Sequence, residues 1–282
     1  MSTYMSGTYS SDGAKLAYSD IGDGLPVVFL HPTPLDGDYW RPLNSELAGV
    51  RAIVPDLRGH GLSELGVTLP VGGFSRVPDA PVLTMAQLGS DVLALLDHLD
   101  LPSAVFAGCS IGGYVLLELW RRAPERMRGL AFVCSKPQPD VEANLVKRAV
   151  TIAQAQAGET AKIFDGMAQT LVGATARERH PEIAAEVRVR MTLTTEALVA
   201  VQAGLAARPD SVPTVATIDA PVLAIAGGED PAVTPAEMEA FRVASGACEW
   251  HLLSDAGHFA AYEQPQKVVD LMAAWLKQFT QA

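Results

Sequence analysis

The sequence has few cysteines and little positive charge, and it lacks a long apolar run. Its three cysteines, Cys109, Cys134 and Cys248, are odd in number and widely spaced, which argues against a disulfide framework or a metal site. The net charge of −11 argues against nucleic acid or an anionic membrane as a partner, because both need a basic surface. The polar segment Met1–Gly13 lacks the apolar core of a signal peptide, and no stretch approaches a membrane span. We therefore expect a cytoplasmic protein with reduced thiols.

At 282 residues the chain is long for a simple domain, so it is either one domain with an insertion or two domains. Apolar runs that predict strands alternate with stretches of helical periodicity over most of its length. This alternation predicts an α/β fold with a mostly parallel sheet and helices on both faces. The predicted strands are Thr8–Ser10, Lys15–Ser19, Pro26–Leu30, Arg51–Val54, Ala104–Ala107, Met127–Val133, Ala220–Ala226 and Glu249–Leu253. The predicted helices between them are Tyr39–Leu47, Thr84–Leu99, Tyr114–Trp120, Pro235–Val243 and Pro265–Phe279.

One segment departs from this alternation. Residues 137–213 are rich in alanine and glutamine and show helical periodicity but no strand. Four helices fit them: Val141–Ala157, Thr160–Val172, Pro181–Met191 and Thr194–Ala207. We therefore divide the chain into a core domain, residues 1–135 and 214–282, and a helical cap domain, residues 136–213. A second irregular segment, Gly61–Leu83, is rich in glycine and proline, and we expect it to border the mouth of a site.

A strand-to-helix turn in the middle of the chain carries the strongest functional signal. The segment Gly108–Gly112 reads G-C-S-I-G, which is G-x-S-x-G between a predicted strand and a predicted helix. Its two glycines would let the strand and the helix approach closely, because glycine has no Cβ. This arrangement would hold the hydroxyl of Ser110 exposed above the sheet edge. Ser110 is therefore the candidate nucleophile.

A serine hydroxyl needs a base to take its proton, and loops that follow two later strands supply a base and an acid. Parallel sheets bind ligands at the carboxyl ends of their strands, and both loops lie there. His258 is the candidate base, because imidazole titrates near neutrality, and Asp230 is the candidate acid that would orient it. The chain order Ser110, Asp230, His258 is one of the known orders of this triad.

Three other carboxylates are weaker candidates for the acid that orients His258. Glu229 is the second candidate for the acid. Asp255 lies too near His258 in the same loop to bond its ring easily. We expect Asp56 to pair with Arg58.

The remaining histidines have structural interpretations. His31 precedes a proline in a loop and is expected to bond the local backbone. His60 lies between glycines and is expected to hold the turn Arg58–Ser63. The others fall in predicted helix, insert and strand positions: His98, His180 and His251.

An acyl transfer also needs two N–H groups that bind the developing oxyanion. Ile111 follows the candidate nucleophile at a helix N-terminus, so its N–H is the first. The loop His31–Pro34 is the expected source of the second. Pro32 and Pro34 have no N–H, which leaves Thr33 as the donor between them. The Thr33 hydroxyl is a further candidate donor.

Together these residues resemble the α/β-hydrolase superfamily from about Thr8 to Phe279. The resemblance implies an eight-stranded, mostly parallel sheet and a helical cap that roofs the pocket. Within the superfamily the chain is most similar to small bacterial esterases, enol-lactonases and cofactor-free haloperoxidase-like members. The motifs that carry the resemblance are L-H-P-T-P (Leu30–Pro34), P-D-L-R-G-H-G-L-S (Pro55–Ser63), G-C-S-I-G-G (Gly108–Gly113), G-G-E-D-P (Gly227–Pro231) and D-A-G-H-F (Asp255–Phe259).

The sequence departs from the family pattern at two positions. Pro32 stands where the family usually has glycine after histidine, which stiffens the oxyanion loop. Ile111 stands where haloperoxidase-like members usually carry methionine. Dehalogenases and epoxide hydrolases are excluded by the resemblance, because their nucleophile is aspartate and this chain has Ser110.

We expect a serine hydrolase that cleaves a carboxylic ester or lactone of a small molecule through an acyl-enzyme, with no cofactor and no metal. A perhydrolase or C–C bond hydrolase on the same triad stays open, as does a non-hydrolytic enzyme or a small-molecule binding protein of the same fold. The substrate and the oligomeric state are also open. Candidate pocket residues are Leu35, Trp40, Cys109, Met167 and Phe259. Phe164 is expected to belong to the core of the cap instead.

Overall fold

A single sheet organises the fold in the computed structural model, which describes residues 4–44, 46–67, 76–77, 79–244 and 247–280. Its eight strands are β1 (Tyr4–Ser11), β2 (Ala14–Ile21), β3 (Leu25–Leu30), β4 (Val50–Pro55), β5 (Ala104–Cys109), β6 (Met127–Val133), β7 (Val222–Gly227) and β8 (Cys248–Leu253). They are ordered β1-β2-β4-β3-β5-β6-β7-β8. β2 runs antiparallel to β1 and β4, and all other neighbours are parallel. The predicted α/β class and the mostly parallel eight-stranded sheet are therefore confirmed.

Helices connect most of the parallel strands and cover the sheet. The helices that precede β6 are α1 (Arg41–Asn44), α2 (Met85–His98) and α3 (Ile111–Arg122). Between β6 and β7 lie α4 (Glu142–Gln156), α5 (Thr160–Leu171), α6 (Ala174–Arg179), α7 (Pro181–Arg190), α8 (Thr195–Ala206) and α9 (Val212–Val215). The chain then forms α10 (Pro235–Met238), α11 (Ala260–Glu263) and α12 (Pro265–Thr280). Short 3₁₀ turns occupy Gly37–Trp40, Pro124–Arg126 and Glu239–Val243.

Side chains of the central strands alternate between two apolar cores, one on each face of the sheet. In β5, Val105 and Ala107 belong to the core that also holds α12, whereas Phe106 belongs to the core that holds α2 and α3. Successive residues of a strand point to opposite faces, so a strand covered on both sides reads as a continuous apolar run. This burial fixes the carboxyl end of β5, from which the Ser110 turn starts.

The helical predictions need three corrections. The predicted helix Tyr39–Leu47 is shorter, a 3₁₀ turn followed by one α-helical turn that ends at Asn44. The segment 137–213 holds one further helix, α6, which begins directly after Gly173, and α9 begins at Val212 and continues beyond the segment to Val215. The segment Pro235–Val243 is a helical turn that tightens to 3₁₀ after Met238.

The domain boundary and the location of the irregular connection stay predictions. The division between a core domain and a cap domain at residues 136 and 213 stays a prediction. In the connection 61–83, residues 68–75 and 78 lie outside the described residues. Across the described ranges, none of the helices combines the length and the apolar character needed to cross a membrane.

Candidate active site

Ser110 lies in a sharp turn between β5 and α3, and it has φ 52° and ψ −115°. A positive φ is disfavoured for a residue with a side chain and persists only where the surroundings impose it. Here the close approach of strand and helix imposes it. A Cβ on Gly108 would lie 2.5 Å from the carbonyl carbon of Gly112, and a Cβ on Gly112 would lie 2.3 Å from the carbonyl oxygen of Leu30. Both glycines of the motif are therefore required by space.

Hydrogen bonds from neighbouring strands fix the backbone of this turn. The N–H of Ser110 donates to the carbonyl of Val133 at 3.1 Å. The hydroxyl of Ser135 donates to the carbonyl of Ser110 at 2.9 Å. The side chain of Ser110 is 8% exposed and borders a cavity. The turn thus presents a single hydroxyl to that cavity on a rigid support.

His258 and Asp230 form a buried pair beside the same cavity. Nδ1 of His258 donates to Oδ2 of Asp230 at 2.7 Å. The other carboxylate oxygen accepts the N–H groups of Ala232 at 2.8 Å and Val233 at 3.1 Å. Because both carboxylate oxygens of Asp230 serve as acceptors, the imidazole donates to it from Nδ1. The Nε2 of His258 is therefore left as an acceptor.

Ser110, His258 and Thr33 all line the cavity. Within the described ranges the Ser110 hydroxyl has no hydrogen-bond partner, so its bond to His258 is not formed in this state. Such bonds are commonly long or poorly aligned before a substrate binds. The ring of Phe259 packs edge-on against His258 with centroids 5.6 Å apart, which limits rotation of the imidazole.

Two backbone N–H groups near Ser110 are without acceptors. Neither the N–H of Thr33 nor that of Ile111 donates to any group in the described part of the chain. Ile111 is the first residue of α3, where the helix dipole favours negative charge. Among the described residues, the two N–H groups predicted to bind an oxyanion therefore have no protein acceptor.

The Thr33 hydroxyl is engaged elsewhere. Nδ1 of His60 donates to the carbonyl of Arg58 at 3.0 Å, so its Nε2 must accept, and the partner at 3.0 Å is Thr33 Oγ1. Burial lowers the pKa of His60 to about 3, which keeps the ring neutral. The Thr33 hydroxyl therefore donates to His60, and the expectation that it adds a third oxyanion donor is not supported.

A second neutral histidine braces the same loop. His31 accepts the N–H of Leu57 on Nε2 at 2.8 Å and donates from Nδ1 to the carbonyl of Pro32 at 3.0 Å. Burial lowers its pKa to about 4. The expectations that His31 bonds backbone and that His60 holds a local turn are confirmed.

The expected pair between Asp56 and Arg58 is wrong. Asp56 accepts the N–H groups of Gly37 and Leu62, both at 2.8 Å. Arg58 instead forms two hydrogen bonds with Asp91 on α2, at 2.6 and 2.8 Å. The guanidinium is only 1% exposed, and burial of a charge requires a partner of this kind.

The cavity beside Ser110 encloses about 770 Å³ under the helices that follow β6. Met167 and Leu171 from α5 and Leu205 from α8 give it an apolar side. Its other polar lining residues come from one face of α4, from α5 and α8, and from the segments that follow β6 and β7. They are Asn144, Lys147, Arg148, Thr151, Thr170, Gln202, Lys136, Asp140, Thr234 and Glu237.

Of the predicted pocket residues, only Met167 lines this cavity. Leu35, Trp40, Cys109 and Phe259 are at most 1% exposed and belong to the apolar core below the site. They lie in the core because of strand alternation and loop packing. Cys109, for example, points into the core beneath the turn, where its thiol donates to the carbonyl of His258. Phe164 is also buried within the core, as expected.

A buried carboxylate that the sequence analysis missed joins the segment after α5 to the His258 loop. Glu263 accepts the N–H of Gly173 at 2.9 Å, of Gly257 at 2.8 Å and of Phe259 at 3.1 Å. The N–H of His258 donates to the carbonyl of Leu171 at 2.8 Å. Burial raises the pKa of Glu263, although the three N–H donors counter it.

Glu229, the second candidate for the acid, lies outside the pair. Its carboxylate bonds the N–H of Thr175 at 2.8 Å and the Thr175 hydroxyl at 2.5 Å. It therefore joins α6 to the loop after β7. Asp255 is on the surface beside Lys267.

Over the described residues, no three His, Cys, Asp or Glu side chains cluster so as to hold a metal ion.

Known proteins resemble this chain in sequence and in fold. The sequence profile described as the alpha/beta hydrolase family matches residues 27–271. The 3-oxoadipate enol-lactonase 2 of Acinetobacter baylyi is 30% identical over 239 residues, 79% of this chain and 78% of that relative. A non-heme chloroperoxidase of Streptomyces lividans is 38% identical over 133 residues, 45% of this chain and 44% of that relative. The solved structure of a thermophilic esterase from Thermogutta terrifontis matches with a TM-score of 0.86 and 29% identity, over 99% of both chains.

Proposed function

Since the chain belongs to the alpha/beta hydrolase family, we propose that it is a serine hydrolase that cleaves a carboxylic ester or lactone of a small molecule through an acyl-enzyme. The observation that carries this proposal is the 2.7 Å bond from His258 Nδ1 to Asp230, beside a cavity that Ser110 also borders. The enol-lactonase and esterase named above support it, because both are hydrolases of acyl–oxygen bonds.

In the first half-reaction the Ser110 oxygen attacks the carbonyl carbon of the substrate, and its proton passes to His258 Nε2. The carbonyl oxygen becomes an oxyanion that accepts the N–H groups of Thr33 and Ile111. Asp230 keeps the imidazole in the required tautomer and stabilises the imidazolium. The imidazolium then gives its proton to the leaving oxygen. That step releases an alcohol from an ester, or opens the ring of a lactone.

In the second half-reaction a water takes the place of the leaving group. His258 removes a proton from this water, which attacks the acyl carbon on Ser110. The tetrahedral intermediate uses the same two N–H groups. Its collapse frees the carboxylic acid and returns the proton to the Ser110 oxygen. We further propose that residues 136–213 act as a cap that roofs the cavity, because α4, α5 and α8 supply much of its lining.

The test is rapid-mixing hydrolysis of p-nitrophenyl esters with wild type and Ser110→Ala. We expect release of p-nitrophenol by the wild type, with a burst where deacylation limits, and loss of turnover by more than about a thousandfold in the variant. Aliphatic lactones are then assayed with a pH indicator. Turnover that survives in a folded Ser110→Ala would refute the proposal.

The chloroperoxidase relative favours one second candidate, a perhydrolase. In that reaction hydrogen peroxide replaces water as the nucleophile on the acyl-enzyme and yields a peroxy acid. The assay is the same hydrolysis with added peroxide and a halide-oxidation readout. Peroxy acid formation that depends on Ser110 would support it, and hydrolysis alone would exclude it.

A further inference from the structure

One face of α4 presents an unusual run of donors to the cavity. Asn144, Lys147, Arg148 and Thr151 are spaced i, i+3, i+4 and i+7, and all four line it. This spacing places them on one face of the helix. None of the four is acidic. The only carboxylate on α4 is Glu142, which is exposed and paired with Arg76.

Several of these donors have no acceptor among the residues that the structure describes. Within the described ranges, Lys147 has no ion-pair partner and the Asn144 amide has no hydrogen bond. Arg148 uses Nε on Asp140 and Nη1 on Gln202, the latter at 2.9 Å, which leaves Nη2 unused. An ammonium, an amide and one guanidinium nitrogen therefore remain available along the same helix face.

Charge is also unbalanced at this end of the cavity. Asp140 is shared by Arg148 and by Arg208, whose Nη2 lies 2.8 Å from its Oδ1. Burial raises the pKa of Asp140, but the two guanidinium groups lower it further, so the carboxylate stays ionised. Lys147 and Arg148 line the cavity with Asp140, whereas Arg208 is buried and outside the lining, so two cations and one anion face the cavity here. This excess stands out in a chain whose net charge is −11.

The other charges around the cavity do not cancel this excess at the α4 end. Lys136 is paired with Glu237 at 2.5 Å, so that pair is neutral as a unit. Asp230 is bonded to His258 and is not a lining residue. The excess positive charge of the lining therefore lies along α4.

We propose that Lys147, together with Asn144 and Arg148, forms a carboxylate subsite, so that the preferred substrates are esters or lactones that carry a second, free carboxylate. Charge-assisted hydrogen bonds from an ammonium and a guanidinium are the usual means of holding such a group. The apolar side of the cavity, at Met167, Leu171 and Leu205, then receives the aliphatic chain between the carboxylate and the scissile bond. This inference concerns the substrate class and rests on the proposed function.

The kinetic test compares mono-p-nitrophenyl adipate with p-nitrophenyl methyl adipate, which differ in charge and by one methyl group. We expect kcat/KM for the acid to exceed that for the diester by about tenfold or more at low salt. Lys147→Met should lower this ratio about tenfold, and Lys147→Arg should largely keep it. Raising the ionic strength should also lower the ratio, because Lys147 is exposed. The matched control is Lys277→Met, an exposed lysine on α12 outside the cavity lining, and its ratio should equal that of the wild type.

A binding test keeps the subsite separate from the chemistry. Calorimetry with Ser110→Ala measures monomethyl adipate and dimethyl adipate, neither of which needs to be turned over. We expect the monoanion to bind about tenfold tighter, and the difference to disappear in Ser110→Ala/Lys147→Met. Equal binding of the two ligands, or a preference that survives without Lys147, would overturn the subsite. Lysine-dependent binding without any hydrolysis would instead retain the subsite and refute the proposed function.

Discussion

Glu263 offers the sharpest structural prediction, because one carboxylate holds three backbone N–H groups from two loops. Gly173 belongs to the segment after α5, whereas Gly257 and Phe259 flank His258. The residue is 5% exposed, so water cannot replace these bonds. Glu263→Gln keeps the size of the side chain but supplies only one acceptor oxygen.

The expected cost follows from the geometry. If the amide oxygen of glutamine takes the place of Oε2, it keeps the bonds from Gly173 and Gly257, and the NH₂ group then faces the N–H of Phe259. A buried donor left unpaired costs about 1–3 kcal/mol, so we expect the free energy of unfolding to fall by that amount. Glu263→Ala leaves all three donors unpaired and should cost about 3 kcal/mol or more.

The assay is urea unfolding followed by circular dichroism, together with kcat on a p-nitrophenyl ester. We expect kcat of Glu263→Gln to fall about tenfold, because the loop that carries His258 loses one of its anchors. Glu186→Gln is the matched control: its exposed carboxylate bonds the Tyr262 hydroxyl at 2.9 Å, and it should change stability by less than about 0.5 kcal/mol. Equal stability and equal kcat in the two variants would refute the reasoning.

Three further predictions concern the turn, the buried imidazoles and the acid. Gly112→Ala should lower the free energy of unfolding by about 3 kcal/mol or more, because its Cβ would lie 2.3 Å from a backbone oxygen of β3. Gly166→Ala has open space around it and should raise the free energy of unfolding by about 0.5–1 kcal/mol. Urea unfolding measures both variants, and equal effects would contradict the packing argument. His31 and His60 have folded-state pKa values of about 4 and about 3, below the unfolded value. The unfolded state therefore takes up protons first, and the free energy of unfolding falls as pH drops below about 6.5, by about 2 kcal/mol for each histidine at about pH 5. A His60→Gln variant whose stability has the same pH slope as that of the wild type would contradict this. Asp230→Asn should lower kcat about ten-thousandfold, because its amide would turn the neighbouring imidazole to the wrong tautomer, and a loss below about tenfold would contradict the assigned role.

The sheet and the positions around Ser110 could be predicted because their signals are local. A strand covered on both faces reads as an apolar run, and a turn without room for a Cβ reads as glycine, as at Gly108 and Gly112. Asp230 and His258 each follow a strand of the same parallel sheet, so topology alone indicated that they would lie at one edge. Their functional roles stay predictions until they are tested.

Other features depend on contacts between distant parts of the chain. Arg58 was expected to pair with the nearby Asp56, but it reaches Asp91 on α2, and nothing local to residue 58 indicates that choice. Trp40 and Phe259 were predicted to line the pocket, but a large apolar side chain has the same sequence signal in a core.

The sequence contains the polar residues of α4 at a spacing that puts them on one helix face. Which side of that helix faces the cavity is settled only by how the segment after β6 packs over the sheet. Glu263 was missed for a similar reason, since its partners are backbone N–H groups, which carry no sequence signal.

The most direct measurement is the intact mass of the protein after brief treatment with a fluorophosphonate, for wild type, Ser110→Ala and the exposed-serine control Ser254→Ala. An activated serine beside His258 reacts with this probe, whereas an ordinary surface serine does not. We expect one adduct on the wild type and on Ser254→Ala, and none on Ser110→Ala. The absence of an adduct on folded wild type, or an adduct that persists in Ser110→Ala, would contradict the assignment of Ser110 as the nucleophile.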